Sequence, residues 1–125
     1  MAPVRVLLVE DNDVFREALE FLLRRRDDVA VVGAVSMGSA AASACAELGA
    51  DVAVIDYRLP DLDGSAAAAD VLERCPGAAV VFLSASAGRE EVEAARISGV
   101  TLVRKDEGVD ALVGAVQDAA RKARG

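Results

Sequence analysis

Histidine is absent from this 125-residue sequence, and there are only two cysteines, Cys45 and Cys75. Neither cysteine has a histidine partner, and the two do not form a CxxC pair, so the sequence offers no thiolate metal site of the usual spacing. Both fall inside segments with helical periodicity. We therefore predict that they are reduced and serve as packing residues, without a disulfide.

The sequence also lacks an apolar run as long as a membrane span, and its N-terminus lacks the pattern of a signal sequence. Basic residues are in the minority, with 14 Lys and Arg against 21 Asp and Glu, for a formal net charge of −7. Phosphate groups repel a net anion, so this balance argues against direct binding of nucleic acid or membrane by this segment. We expect a cytoplasmic location.

The sequence does contain a regular alternation of short apolar runs and amphipathic segments. The runs predict strands at 4–9, 29–35, 50–55, 78–83 and 100–103, and helices are predicted at 14–26, 36–48, 65–74, 90–98 and 108–122. Strands that are apolar almost throughout indicate a parallel sheet covered by helices on both faces, which is an α/β fold. Without an internal repeat or a linker, residues 1–125 are predicted to form one domain.

Polar residues stand where four of the predicted strands stop. Glu10 and Asp11 follow the first strand, Asp56 the third, Ser84 the fourth and Lys105 the fifth. Parallel strands end at the same edge of a sheet, and ligands bind outside that edge. We therefore expect these five side chains to converge on one site.

The charges of these residues suggest a chemistry. Three carboxylates in one cleft repel each other unless cations lie among them, and Mg²⁺ suits such a set of oxygen ligands. With Mg²⁺ and Lys105 present, the site could accept a phosphoryl group, with Asp56 as the nucleophile that forms an acyl phosphate. The hydroxyl of Ser84 could donate a hydrogen bond to a phosphoryl oxygen.

The sequence resembles, over essentially its whole length, the receiver domain of bacterial two-component response regulators. The matching segments are Val-Glu-Asp-Asn at 9–12, Asp-Tyr-Arg-Leu-Pro-Asp-Leu-Asp-Gly at 56–64, Leu-Ser-Ala at 83–85 and Lys-Asp at 105–106. The resemblance implies a flavodoxin-like (βα)5 fold with strand order 2-1-3-4-5. It also implies a phosphoacceptor that catalyses only its own phosphorylation and dephosphorylation, with a sensor histidine kinase as donor.

Roles for individual residues follow from the resemblance. The implied Mg²⁺ ligands are Glu10, Asp11, Asp56 and the backbone carbonyl of Arg58, and the implied phosphoryl-binding side chains are Ser84 and Lys105. Phosphorylation of such a domain switches the surface formed by the fourth helix, the fifth strand and the last helix, and this surface controls dimerisation or an output domain.

A finer resemblance, carried by residues 4–19 and the Lys105–Asp106 pair, is to regulators whose receiver precedes a LuxR-type helix-turn-helix, the NarL/FixJ-like group. It implies a homodimer, transcription regulation and a C-terminal DNA-binding domain outside this chain. Whether residues 1–125 are an excised receiver or a natural single-domain protein stays open.

Three positions depart from the usual pattern or tune it. Leu102 replaces the aromatic residue whose rotation accompanies switching in many members of the family. Arg58 and Ser86 each lie two residues past a site residue and flank the route of attacking water, so we expect them to tune the lifetime of the phosphoryl group.

These features leave three alternatives. An aspartyl-phosphate hydrolase needs a second acid two residues after its nucleophile, where this chain has Arg58. A flavodoxin-like cofactor carrier needs small residues after the first strand to cradle phosphate, where this chain has acids. A receiver that acts without phosphorylation, as a protein-interaction module, is the main alternative, and Leu102 keeps it open.

Overall fold

The computed structural model describes residues 2–125. Five strands alternate with five helices, in the order β1 (Val4–Val9), α1 (Asp13–Arg24), β2 (Val29–Val35), α2 (Ala41–Leu48), β3 (Val52–Asp56), α3 (Gly64–Arg74), β4 (Ala79–Ser84), α4 (Arg89–Ser98), β5 (Thr101–Arg104) and α5 (Val109–Ala123). Single 3₁₀ turns at Gly38–Ala40 and Lys105–Glu107 precede α2 and α5. Within the described chain, no helix combines the length and apolarity that a membrane crossing requires.

The strands form one parallel sheet in the order β2-β1-β3-β4-β5. Both the α/β fold and the strand order that the resemblance implied are therefore confirmed. The chain leaves β1 toward one edge of the sheet and then returns to place β3 on the other side of β1. The carboxyl ends of β1 and β3 therefore lie beside the switch point, where a crevice opens in sheets of this kind.

The central strands β1, β3 and β4 are buried on both faces, which explains why they are apolar at almost every position. In β1, Val6 and Leu8 face a core cluster shared with α1 and α5, whereas Leu7 and Val9 face a second cluster shared with α2 and α3. The four residues are at most 1% exposed. Strands packed on two sides hold their ends rigidly, so side chains at those ends have fixed positions.

The predicted boundaries differ from the observed ones by a few residues, and two of the differences matter for function. Asp56 and Ser84 were predicted to follow β3 and β4, but they are the last residues of these strands. Asp56 is in register with Leu83 of the neighbouring strand β4. Helix α1 begins earlier than predicted because the side chain of Asn12 accepts a hydrogen bond from the backbone N–H of Phe15.

Both cysteines are free, as predicted. Cys45 is buried in α2 and Cys75 is half-buried at the end of α3. Burial, with a smaller contribution from Cys75, raises the pKa of the Cys45 thiol to about 12. This thiol is protonated at neutral pH and behaves as a small apolar side chain.

We predict that Gly64→Ala destabilises the domain. A Cβ at Gly64 would lie 2.7 Å from the Cα of Tyr57, against backbone that cannot move aside easily. The free energy of unfolding, measured in urea, should fall by about 1–3 kcal/mol. The matched control is Gly114→Ala in α5, where a Cβ meets nothing within 4 Å and should add about 0.5–1 kcal/mol. Equal stability of the two variants would contradict the packing at Gly64.

Candidate acidic site at the sheet edge

Three carboxylates meet at the carboxyl ends of β1 and β3. Glu10, Asp11 and Asp56 each place a carboxylate oxygen within 4.8 Å of the others. Glu10 and Asp56 are buried, at 2% and 6% exposure, whereas Asp11 is exposed. The cluster therefore combines two fixed acids with a third that faces solvent.

Lys105 reaches the same point from the 3₁₀ turn after β5. Its Nζ lies 2.6 Å from Oε1 of Glu10 and 3.3 Å from Oδ2 of Asp56. The ammonium group also lies 4.5 Å from the centroid of the Phe15 ring, a favourable arrangement for a cation. Four of the five residues expected to converge are thus in direct proximity.

Electrostatics at the site favour one more cation. Burial, followed by hydrogen bonding with Asp56, raises the pKa of Glu10 despite the nearby lysine. Burial alone would lower the pKa of Lys105, but its close contact with Glu10 and the attraction of Asp56 outweigh burial and raise it. Three acids against one ammonium group leave an excess of negative charge in a half-enclosed space.

The ligand atoms fit a hard divalent ion. All the side-chain donors are carboxylate oxygens, the type that Mg²⁺ prefers. Although Lys105 lies close to it, the buried Oε1 of Glu10 makes no hydrogen bond of good geometry within residues 2–125. The residues present therefore fit the Mg²⁺ ion that the sequence suggested.

The carboxylate of Asp56 is held at both of its oxygens. Oδ1 accepts a hydrogen bond of 3.1 Å from the backbone N–H of Arg58, and Oδ2 contacts Lys105. An open cavity of about 450 Å³ lies on the exposed side of the acid cluster and is lined in part by Asp11, Tyr57 and Glu90. A small anionic group could therefore approach the cluster from the side of Asp11.

Two of the predicted residues, Ser84 and Leu102, make no hydrogen bond or ion pair with the acids among the described residues. Ser84 is buried at the end of β4, and its Oγ accepts a hydrogen bond of 3.4 Å from the backbone N–H of Ser86. Among the described residues it makes no hydrogen bond to Asp56. Leu102 is half-buried, is in register with Phe82 of β4 and packs against the core.

Sequence reasoning missed an ion-pair network beside the site. Nη2 of Arg58 lies 3.1 Å from Oε1 of Glu91 and pairs even more closely with Glu90. Glu91 is 4% exposed, and hydrogen bonds from the Ser86 hydroxyl and the Gly88 N–H lower its pKa. The only signal in the sequence was the acidic first turn of α4, which also suits a solvent-exposed helix start.

A second missed feature is the role of Asp61 in the loop between β3 and α3. Its carboxylate accepts hydrogen bonds of 2.9 Å from the N–H of Gly38 and 3.0 Å from the N–H of Ser39. These backbone bonds lower the pKa of Asp61. The loop that follows Asp56 is thus tied to the turn before α2.

Comparison with known proteins supports one family. The pattern of the response regulator receiver domain matches residues 6–117. The receiver domain of the response regulator NarL from Mycobacterium tuberculosis superposes with a TM-score of 0.88 at 33% identity, over 97% of this chain and 98% of that one. The response regulator domain of Thermotoga maritima CheB gives 0.82 at 26% identity, over 95% and 97%.

A curated relative extends the comparison. A protein-glutamate methylesterase/protein-glutamine glutaminase of Methanospirillum hungatei is 33% identical over 91 residues, which are 73% of this chain and 26% of that protein. The chain thus spans about a quarter of the length of this relative. Because the receiver pattern covers nearly all of the chain, this protein belongs to the family of response regulator receiver domains, the signalling domains of two-component systems.

Proposed function

We propose that this domain accepts a phosphoryl group on Asp56 from a sensor histidine kinase, in the presence of Mg²⁺. The observation that supports this best is the arrangement around Asp56. Its carboxylate is held by Arg58 and Lys105 and lies within 4.8 Å of two further acids, one of which, Asp11, lines an open cavity. A carboxylate fixed in this way presents an oxygen in a constant direction to an incoming phosphorus atom.

Glu10, Asp11, Asp56 and the backbone carbonyl of Arg58 would hold the Mg²⁺ ion, which when bound offsets negative charge on the phosphoryl oxygens. A carboxylate oxygen of Asp56 forms the new P–O bond as the P–N bond to the kinase histidine breaks. The Lys105 ammonium group already bridges Glu10 and Asp56. It stabilises the added charge by its position.

The phosphoryl group would add about two negative charges next to a cluster that already has an excess of them. Ser84 would then donate its hydroxyl to a phosphoryl oxygen in place of accepting from Ser86. The loop after β4 would move inward with it, and the surface of α4, β5 and α5 would change shape. That surface would control a homodimer or an output domain.

The proposed function also includes an output domain that the receiver controls. The likeness to the NarL receiver favours a C-terminal DNA-binding domain of the LuxR type. The methylesterase relative and the CheB domain show that similar receivers also occur in proteins with another output.

A second candidate function is binding to a protein partner without phosphorylation. The observation in its favour is Leu102, which packs against the core where many receivers carry a mobile ring. A domain of this kind would keep the acidic site but bind its partner equally well with and without a phosphoryl group.

We predict that incubation with acetyl phosphate and Mg²⁺ adds one phosphoryl group, visible by intact mass, and that Asp56→Asn abolishes the adduct. The amide cannot act as the nucleophile. Asp61→Asn is the matched control, because this nearby acid only accepts backbone bonds. An adduct that persists in Asp56→Asn would refute Asp56 as the nucleophile, and the absence of an adduct in the unmodified protein would favour the interaction module.

We predict that Mg²⁺ raises the thermal unfolding midpoint, because it relieves repulsion among three acids. At a Mg²⁺ concentration a hundred times the dissociation constant, the free energy of unfolding should rise by about 2.7 kcal/mol. Asp11→Asn should remove most of this gain. Asp13→Asn, an exposed acid two residues further on, should retain it. An equal gain in both variants would show that Mg²⁺ acts elsewhere.

Lys105→Gln should have opposite effects on stability and on Mg²⁺ binding. Without Mg²⁺, the loss of the pairs to Glu10 and Asp56 should lower the free energy of unfolding by about 1–3 kcal/mol. Mg²⁺ should bind more tightly, because the ammonium group no longer competes for the same oxygens, while phosphorylation slows. Calorimetric titration and the intact-mass time course measure these effects, and weaker Mg²⁺ binding would contradict the competition.

A further inference from the structure

The carboxylate of Glu91 lies at the centre of a set of contacts that join two loops. Oε2 accepts hydrogen bonds from the Ser86 hydroxyl and, at 3.1 Å, from the Gly88 N–H. Oε1 lies 3.1 Å from Nη2 of Arg58. Glu91 itself is 4% exposed, whereas the side chain of Arg58 is 63% exposed. A buried acid thus receives donors from the loop after β4 and from the loop after β3.

Both loops lead directly to the phosphorylation site. The backbone N–H of Arg58 holds Oδ1 of Asp56, and the backbone N–H of Ser86 bonds to Oγ of Ser84. Glu91 therefore contacts, through single residues, the segment that positions the proposed acceptor and the segment that carries the proposed phosphoryl-binding hydroxyl. The same residue belongs to the first turn of α4, which forms part of the proposed output surface.

Helix capping explains only part of this arrangement. A glutamate in the first turn of a helix often accepts a bond from a backbone N–H just before the helix, as Glu91 does from Gly88. Capping requires neither the bond to the Ser86 side chain nor the ion pair across to Arg58. The neighbouring Glu90 also pairs with Arg58 but is exposed and makes no bond to the loop after β4 within residues 2–125.

We propose that Glu91 is a positioning residue that ties the loop after β4 to Arg58 and thereby holds the unphosphorylated conformation. The proposal rests on the function proposed for Asp56. For Ser84 to reach a phosphoryl group, residues 85–88 must shift, and the contacts of Ser86 and Gly88 to Glu91 must lengthen or break. Contacts made only in the resting state reduce the apparent affinity for anything that selects the switched state.

The test uses beryllofluoride, a phosphoryl mimic, titrated in Mg²⁺ with a fluorescent label or by NMR. Glu91→Gln keeps an acceptor for the loop but loses the charge that pairs with Arg58, so it should bind beryllofluoride about tenfold more tightly. Arg58→Met removes the same pair from the exposed side and should act in the same direction. Glu93→Gln is the matched control, because the one ion pair of Glu93 in the described part of the chain is with Arg96 on the surface of α4.

The double variant, with Glu91→Gln and Arg58→Met together, distinguishes the loss of one ion pair from a general loss of rigidity in the two loops. Because Glu91→Gln and Arg58→Met remove one common ion pair, the two together should tighten binding no more than the stronger single change. Glu91→Gln that binds beryllofluoride like Glu93→Gln, or more weakly than the unmodified protein, would overturn the proposal. Fully additive effects would also overturn it.

Hydrogen exchange without beryllofluoride tests the tie by itself. Amides of residues 85–89 should exchange faster in Glu91→Gln and Arg58→Met than in the unmodified protein, and Glu93→Gln should leave them unchanged. Unchanged exchange in Glu91→Gln would overturn the tie. If the unmodified protein binds no beryllofluoride, the function proposed for Asp56 fails, and faster exchange would still support the contact between the two loops.

Discussion

Repulsion among the three carboxylates is the constraint on which the site depends. Two of them, on Glu10 and Asp56, are buried where water screens charge poorly, and within residues 2–125 Lys105 is the one cation that pairs with them. Such a cluster is stable because the strands beneath it are apolar on both faces and cannot move apart. The packing of the sheet therefore offsets the repulsion among the acids, and the cluster keeps an excess of negative charge that a bound cation would offset.

The topology explains why this cluster forms at one point. β1 and β3 are neighbours although β2 lies between them in sequence, so Glu10 and Asp56 come from adjacent strand ends. The chain then passes through the loop after β3, which Asp61 ties to the turn before α2. Lys105 enters from the turn after β5. Each polar residue is thus placed by a different element, and the packing of the sheet sets their distances.

Much of this could be predicted from the sequence, because apolar runs and the polar residues that end them are local signals. The strand ends located Glu10, Asp56 and Lys105, and parallel pairing brought them together. The burial and contacts of Glu91 could not be predicted in the same way. The sequence pattern of an acid in the first turn of a helix is the same whether the acid is exposed or buried. The burial of Glu91 depends on the conformation of residues 84–88. The contacts of Ser84 could not be predicted either, since its Oγ accepts a hydrogen bond from Ser86 in the loop after β4.

Arg58 shows how charge is divided between the site and its surroundings. A free guanidinium group two residues after Asp56 would be drawn to the acid cluster and would compete with a metal ion there. Glu90 and Glu91 pair with it instead. The two acids of α4 thus leave Lys105 as the cation among the carboxylates. The same ion pairs that hold the Arg58 side chain also connect the loop after Asp56 to α4, so the charge at the site and the link to the proposed output surface share one electrostatic origin.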